Sequence, residues 1–167
     1  MSTFRAVVLI AATISMGLVA GVFVLYAHTI MPGLRRTDDR TFVGAFQQLD
    51  IAIINPWFML GGFVGALVFS GLAVALHLGR ETRAVLPWAL VAFVLYLITV
   101  VITIAVHLPL NDAMKAAGNP DHITDLAAVR ERFHETTWVA WNIVRAVLST
   151  TALGCLAWSL IQYGRLR

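Results

Sequence analysis

The chain has 167 residues, of which 59% are hydrophobic and only 13% are charged, and its mean hydropathy is +0.82. Soluble domains contain roughly 45–50% apolar residues, so this composition excludes an ordinary soluble domain and indicates a membrane protein. The net charge of +3 includes no basic cluster longer than Arg35-Arg36, which gives no support to a nucleic-acid partner. A single cysteine, Cys155, excludes a disulfide or a thiolate metal cluster within one chain.

Four long apolar runs account for the hydropathy, at residues 4–30, 56–78, 85–107 and 138–163. Each run meets the requirement of about 20 residues for a helix that crosses the hydrocarbon core. The first run is interpreted as a retained span, because its uncharged stretch is longer than the roughly 7–15-residue core of a signal peptide. We therefore predict an all-α integral membrane four-helix bundle, with residues 1–167 as a single transmembrane domain.

The two long loops each contain a predicted amphipathic helix, at about residues 37–54 and 123–135. In the first, Thr37 is the predicted N-cap, and Phe42 and Phe46 recur at helical spacing. The amino terminus, the second loop and the carboxyl terminus hold five arginines against one glutamate. This high density of basic residues favours a multi-pass protein of the plasma membrane, with both termini in the cytoplasm and the two long loops outside.

An arginine interrupts the fourth apolar run. At 100° per residue, Trp138, Asn142, Arg145 and Ser149 fall within roughly 60° of one another, so they form one polar stripe. An arginine inside a membrane span costs about 2.5–3.5 kcal/mol on insertion scales, and such residues usually face the bundle interior. Two interpretations remain open: Arg145 belongs to a functional site, or it snorkels outward or pairs with Asp50 or a backbone carbonyl and so stabilises the bundle.

Other spans supply polar groups at the same level. Tyr96 and His107 share one face of the third span, and Pro109 is predicted to end that helix and to leave Asn111 turned toward a cavity. A small-xxx-small motif in the first span is predicted to point His28 inward. Each group alone has a structural explanation, and their convergence favours a site. The groups expected to converge near the outer mouth of the bundle are His28, Asn55, His107, Asn111, His134 and Arg145.

Four segments carry a resemblance to a known family: "HTIMPGL", "FVGAFQQLDIAIINPWF", "HLPLN" and "TTWVAWNIVR". With these segments the chain resembles the anthrone oxygenase-like integral membrane proteins over nearly its whole length. The resemblance implies an oxygenase that converts an anthrone to an anthraquinone with molecular oxygen. Its partners would be the lipid bilayer and a small planar aromatic substrate, and the sequence is compatible with a homo-oligomer.

The residues can be assigned roles in such a reaction. His107 or His134 is the candidate base, because histidine has an unperturbed pKa near working pH. Arg145, Asn111 and Asn142 are the candidate stabilisers of an enolate or peroxide oxygen. No cofactor or metal is required on this hypothesis. The candidate substrate-binding residues are Trp138, Trp141, Asn55, Tyr96 and His28.

Two alternatives from other classes remain open. A haem or metal protein could use His28 and His107 as ligands from facing helices. A small transporter or an accessory membrane subunit is the second alternative, although the four spans contain no Asp or Glu, which disfavours a proton-coupled carrier.

Overall fold

The computed structural model describes residues 2–166, which are largely helical and include no strand. Four helices are long and apolar enough to cross a membrane, and we refer to them as membrane helices 1 to 4. This confirms the predicted all-α fold with four membrane-spanning helices. Their bounds are Thr3–Leu34, Trp57–Leu76, Leu86–Ala116 and Glu135–Arg165.

The four membrane helices form a closed ring. Helix 1 packs on helices 2 and 4, helix 3 packs on helix 4, and a smaller contact between helices 2 and 3 completes the ring. Small side chains lie at these contacts, including the fully buried Ala12, Ala66, Ala92 and Ala152, and they allow the helix backbones to approach closely. Large apolar side chains cover the outside of the ring, as expected of a surface that faces lipid.

Shorter helices connect the ring. The first loop helix is Asp39–Ile53 and the second is Leu126–Arg132, with short 3-10 turns at Arg80–Thr82 and Pro120–His122. The prediction of Thr37 as the N-cap is wrong. The cap is the neighbouring residue, Asp38.

Asp38 caps the first loop helix through its carboxylate. The Thr41 backbone N–H donates to the Asp38 carboxylate at 3.0 Å, and this bond holds the pKa of Asp38 below its usual value. Thr37 instead donates its hydroxyl to the Leu34 carbonyl at the end of helix 1. The Asp38 cap therefore sets where the first loop helix begins, while Thr37 bonds the end of membrane helix 1.

The two loop helices close one end of the ring with an aromatic cap, which we define as Phe42, Phe46 and Phe133. All three side chains are at most 2% exposed. The Phe46 ring centroid lies 4.5 Å from that of Phe133 and 5.6 Å from that of Trp138 on helix 4. Aromatic contacts of this kind stabilise beyond the area they bury, so the loops are held firmly against the membrane helices.

Three of the membrane helices contain a π-helical segment, at Tyr26–Ile30, Trp57–Phe63 and Thr103–His107. Pro32 and Pro109 follow the first and third segments. A proline lacks an N–H and its ring crowds the carbonyl four residues earlier, and a wider turn accommodates both effects. The prediction that Pro109 ends the third helix is therefore wrong, because the π segment lets helix 3 continue to Ala116.

The π segment of helix 2 depends on a glycine. A Cβ placed on Gly65 would lie 2.6 Å from the Leu60 carbonyl oxygen and 3.1 Å from the Ser15 hydroxyl of helix 1. The first distance is far below van der Waals contact, so any side chain at this position must displace the Leu60 carbonyl.

We expect Gly65→Ala to lower the free energy of unfolding by about 1–3 kcal/mol, the usual cost of overpacking. Gly61→Ala is the matched control, because a Cβ there meets nothing within 4 Å. That substitution should be neutral or should stabilise by roughly 0.5–1 kcal/mol, since glycine is unfavourable in helices. Thermal unfolding of the two variants in detergent tests this, and equal effects would contradict the argument.

Candidate functional site

A cavity of about 210 Å³ lies under the aromatic cap, between the four membrane helices and the first loop helix. Its walls are mostly aliphatic and aromatic, with a small number of polar groups, as in many small-molecule sites. The polar or ionisable side chains that line it are Tyr26, Asp50, Thr103, His107, Asn111, Trp138 and Arg145.

Each of the three π segments forms part of the cavity wall. The segment of helix 1 contributes Tyr26, that of helix 2 contributes Phe58 and Phe63, and that of helix 3 contributes Thr103 and His107. A π turn inserts one extra residue into a helix and is frequent at functional sites. The three helices therefore depart from α-helical geometry at the level of the cavity.

Arg145 is buried at 5% exposure and donates only to neutral groups. Its Nη1 donates to the Thr103 hydroxyl at 3.2 Å and its Nη2 donates to the Asn142 side-chain oxygen at 2.9 Å. The guanidinium carbon lies 4.3 Å from the Phe23 ring centroid, and Nε has no hydrogen-bond partner. Since neutral acceptors do not cancel its charge, Arg145 makes the cavity favourable for an anionic or electron-rich oxygen.

The predicted structural roles of Arg145 were outward snorkelling and pairing with Asp50 or a backbone carbonyl, whereas its hydrogen bonds go to the side chains of Thr103 and Asn142. Within residues 2–166, no Asp or Glu oxygen lies within 4.0 Å of Arg145. The predicted pairing with Asp50 is wrong, because that carboxylate pairs with Lys115 at 3.2 Å. Outward snorkelling is also wrong, because the side chain lies inside the ring.

Asn142 positions the arginine. Its side-chain nitrogen donates to the Phe23 carbonyl of helix 1 at 3.0 Å, while its oxygen accepts from Arg145. Asn142 is fully buried behind Arg145 and does not line the cavity. It therefore links helix 4 to helix 1 and fixes the direction of the guanidinium.

His107 presents an imidazole without a hydrogen bond. Its side chain is 1% exposed, and neither ring nitrogen has a hydrogen-bond partner within the described chain. Backbone groups of Ile102 and Trp138 are close to the ring but do not meet hydrogen-bond geometry. The ring packs against Trp138 with centroids 5.0 Å apart. A buried polar group without a partner is costly and rare in proteins, and it suggests a functional role.

A chain of polar contacts crosses the upper rim of the cavity. The Trp138 indole N–H donates to the Asn111 side-chain oxygen at 2.8 Å, and the Asn111 amide donates to Asp50 at 2.6 Å. Lys115 then pairs with both Asp50 and Asp112, at 3.2 and 3.0 Å. The rim therefore joins the first loop helix, helix 3 and helix 4.

The structure brings some of the predicted site residues together. His107, Asn111, Trp138 and Arg145 line one cavity, and Asn142 lies directly behind Arg145. Tyr96 is buried but does not line the cavity, and its hydroxyl donates to the Phe63 carbonyl at 2.8 Å.

The remaining predicted residues lie elsewhere. Asn55 caps the start of helix 2, where its side-chain oxygen accepts from the Phe58 N–H at 2.9 Å. His28 is exposed and contacts Thr29, because it lies on the same face of helix 1 as Gly21 and Val24, which are already exposed before the π segment begins. The expectation that His28 faces the cavity is therefore wrong, and with it the pairing of His28 and His107 inside the bundle.

His134 and Trp141 also lie outside the cavity. His134 is exposed and has a left-handed backbone with φ of 50°, so it breaks the helix and does not continue the stripe of helix 4. Trp141 is 41% exposed on the outer surface, because it lies beyond the edge of the buried stripe. The predicted convergence of His134 with the other polar residues is therefore wrong, and Trp141, predicted to bind a substrate, does not line the cavity.

Three lining residues were missed as site residues: Tyr26, Thr103 and Asp50. A signal existed for Asp50, which follows Phe42 and Phe46 at intervals of four residues on the buried face of the first loop helix. A carboxylate on the buried face of a helix indicates a buried polar partner. A signal also existed for Thr103, which shares one face of the third span with Tyr96 and His107. Tyr26 had no such signal.

The anthrone oxygenase family model matches residues 52–155. The chain belongs to this family. The resemblance drawn from the sequence motifs is thereby confirmed. The match contains helices 2 and 3 and most of helix 4, and it includes His107, Asn111, Trp138 and Arg145. No curated protein and no solved structure matches the chain.

The described part of this anthrone oxygenase family member contains no group of three or more His, Cys, Asp and Glu side chains placed to hold a metal ion. His107 is the only one of its five histidines that lines the cavity. A metal site in the cavity would therefore depend on His107 and Asp50.

We expect Asn142→Leu to lower the free energy of unfolding by about 1–3 kcal/mol, because it removes an acceptor from the buried Arg145 and a donor from the Phe23 carbonyl. Thr150→Leu, on the exposed side of the same helix, is the control and should change stability little. Chemical or thermal unfolding in detergent measures both variants. A wild-type unfolding midpoint for Asn142→Leu would show that this amide does not hold the helices together.

Proposed function

We propose that this protein is a membrane-embedded oxygenase that uses molecular oxygen to oxidise a planar aromatic of the anthrone type to a quinone. The observation that carries the proposal is the pairing, within one apolar cavity, of an imidazole without a hydrogen bond and a guanidinium without a carboxylate. Membership of the anthrone oxygenase family supports the same reaction class.

The first step is the removal of a proton from the methylene carbon of the anthrone. His107 accepts this proton, and the carbon–hydrogen electron pair moves into the ring system to form an enolate. Histidine suits this role because its unperturbed pKa lies near neutral pH. The negative charge collects on the anthrone oxygen, where Arg145 and Asn111 stabilise it in a site with little water.

The second step is the reaction of the enolate with oxygen. The electron-rich enolate transfers an electron to O₂, and the resulting radicals combine to form a carbon–oxygen bond and a peroxide. The peroxide takes a proton from His107. Loss of the remaining methylene proton and cleavage of the O–O bond then give the second carbonyl and one water. One methylene and one O₂ are thus converted to one carbonyl and one water.

The other lining residues would hold the substrate. The Trp138 ring lies between His107 and the aromatic cap and offers a flat surface to a fused-ring ligand. The cavity of about 210 Å³ is smaller than the roughly 300–1,000 Å³ of sites for drug-sized ligands. A tricyclic substrate would therefore require apolar side chains at the wall to move aside.

The two alternatives have weaker support. A haem protein with His28 and His107 as axial ligands would need both imidazoles inside the ring, and His28 is exposed on its outside. A transporter would need a route through the bundle. The cavity instead ends at Arg145, and Asn142 lies behind it. These two side chains are bonded to each other and to helices 1 and 3.

We expect His107→Gln to reduce kcat/KM for anthrone-dependent oxygen uptake by about 10²–10⁴-fold, the usual contribution of a general base. The purified protein in detergent is assayed with a simple anthrone, and quinone formation is followed at the same time. His28→Gln is the matched control, because it removes a histidine that lies outside the cavity. An equal loss of activity in both variants would contradict a base role for His107.

We expect Arg145→Met to reduce the same rate by about 10²–10³-fold, the effect of losing one oxyanion donor. Because Arg145 also joins helices 1, 3 and 4, the unfolding midpoint of the Arg145→Met variant must be measured together with its activity. A folded variant that has lost activity supports a role in the reaction. A folded variant with wild-type quinone formation over the spontaneous background would remove Arg145 from the mechanism.

A further inference from the structure

One wall of the cavity faces the lipid. Three apolar side chains line the cavity and are also exposed on the outer surface of the ring. They are Ile54 at the end of the first loop helix, and Ile104 and Leu108 on helix 3, which are 58%, 58% and 42% exposed. A single layer of aliphatic side chains therefore separates the cavity from the outside of the bundle.

The membrane helices diverge at this wall. Helix 2 packs on helix 3 mainly through Val64–Leu76 and Leu86–Ile102. Its π segment, Trp57–Phe63, packs mainly on helix 1, whereas the π segment Thr103–His107 packs mainly within helix 3 and on helix 4. The two π segments therefore leave a gap between helices 2 and 3, and the exposed wall lies in that gap.

The side of the cavity toward the loops is closed. The aromatic cap covers it with three side chains that are at most 2% exposed. Below the cap, the hydrogen bonds from Trp138 to Asn111 and from Asn111 to Asp50 cross the rim. A ligand that came from water would have to displace both layers, whereas a ligand that came from the side meets only aliphatic groups.

The gap lies within the hydrocarbon region. Ile104 precedes the charged Asp112 by eight residues, which is about 12 Å along a helix of 1.5 Å rise per residue. Trp57, which is 69% exposed at the start of helix 2, is of the type that marks the membrane interface. The exposed wall is therefore placed to meet acyl chains.

We infer that the ligand enters the cavity laterally from the bilayer, through a portal between helices 2 and 3. The portal is formed by Ile54, Ile104 and Leu108. The ligand class is a planar aromatic that dissolves in lipid and carries one carbonyl or phenolate oxygen. Its rings pass the aliphatic portal and its oxygen meets Arg145 at the inner end. This inference rests on the proposed function for the identity of its ligand, whereas the route is argued from the walls alone.

Trp138 provides a test of the route that does not depend on activity. In a variant with Phe at positions 57, 88, 141 and 158, Trp138 is the remaining tryptophan and is 3% exposed. In lipid vesicles, bromobenzene dissolved in the bilayer should quench its fluorescence, and aqueous iodide should not, although Arg145 would attract an anion. Quenching by iodide and not by bromobenzene would place the entrance on the loop side and overturn the inference.

The position of the portal is tested with two double variants. Ile104→Phe with Leu108→Phe adds bulk at the portal and should reduce the quenching by bromobenzene. Ile98→Phe with Val101→Phe adds the same groups to exposed positions of helix 3 that do not line the cavity. This control variant should leave the quenching by bromobenzene unchanged. Equal quenching in both variants would overturn the proposed position.

An activity measurement in the otherwise wild-type protein separates this inference from the proposed function. The portal variant should lower kcat/KM for anthrone oxidation while kcat is retained, and the control variant should keep both. If the wild type oxidises no anthrone but the quenching pattern holds, the proposed function fails and the portal stands. If oxidation occurs and the portal variant keeps a wild-type kcat/KM, the portal is wrong.

Discussion

The buried charge of Arg145 is the constraint around which this end of the bundle is organised. A guanidinium in a low-dielectric interior must find acceptors, and these come from Thr103 on helix 3 and Asn142 on helix 4, with the Phe23 ring of helix 1 over its face. Asn142 in turn donates to the Phe23 carbonyl. Three membrane helices are thereby tied to one side chain. A structural role and a role in binding are not alternatives here, because the same bonds that join the helices aim the guanidinium into the cavity.

The π segments explain why there is a cavity beside this charge. In a ring of regular helices with alanine at the contacts, side chains would fill the space between neighbours. The π turns of helices 1 to 3 all line the same cavity as Arg145, and two of them precede a proline. Each inserts a residue, which redirects the side chains that follow and widens the local spacing. The proline that disrupts regular hydrogen bonding is therefore also the cause of the irregularity that shapes the site.

Much of the fold could be predicted from the sequence, because the four apolar runs and the polar stripe of helix 4 depend only on hydropathy and on a regular 100° turn. The errors at His28 and His134 have different causes. For His28, the small-residue motif indicated the wrong face of helix 1, because Gly21 and Val24 on that face are exposed in the regular part of the helix. For His134, the direction of the side chain was extrapolated along helix 4, whereas the backbone is left-handed just before that helix begins. His107 also belongs to a π segment, but the inward face predicted from its spacing to Tyr96 is correct, and it lines the cavity.

The spacing of Asp50 from Phe42 and Phe46 indicated that it is buried, but its partners Asn111 and Lys115 could not be predicted, because they lie 61 and 65 residues away along the chain. These contacts matter for the chemistry of the site. A carboxylate in the same cavity would be expected to pair with the guanidinium and cancel its charge. Here the Asn111 amide and the Lys115 ammonium hold Asp50 at the rim, so the only carboxylate that lines the cavity is already neutralised by other groups. The positive charge at the inner end is thereby left for an oxygen that is not part of the protein, and this arrangement favours a bound ligand over a structural ion pair.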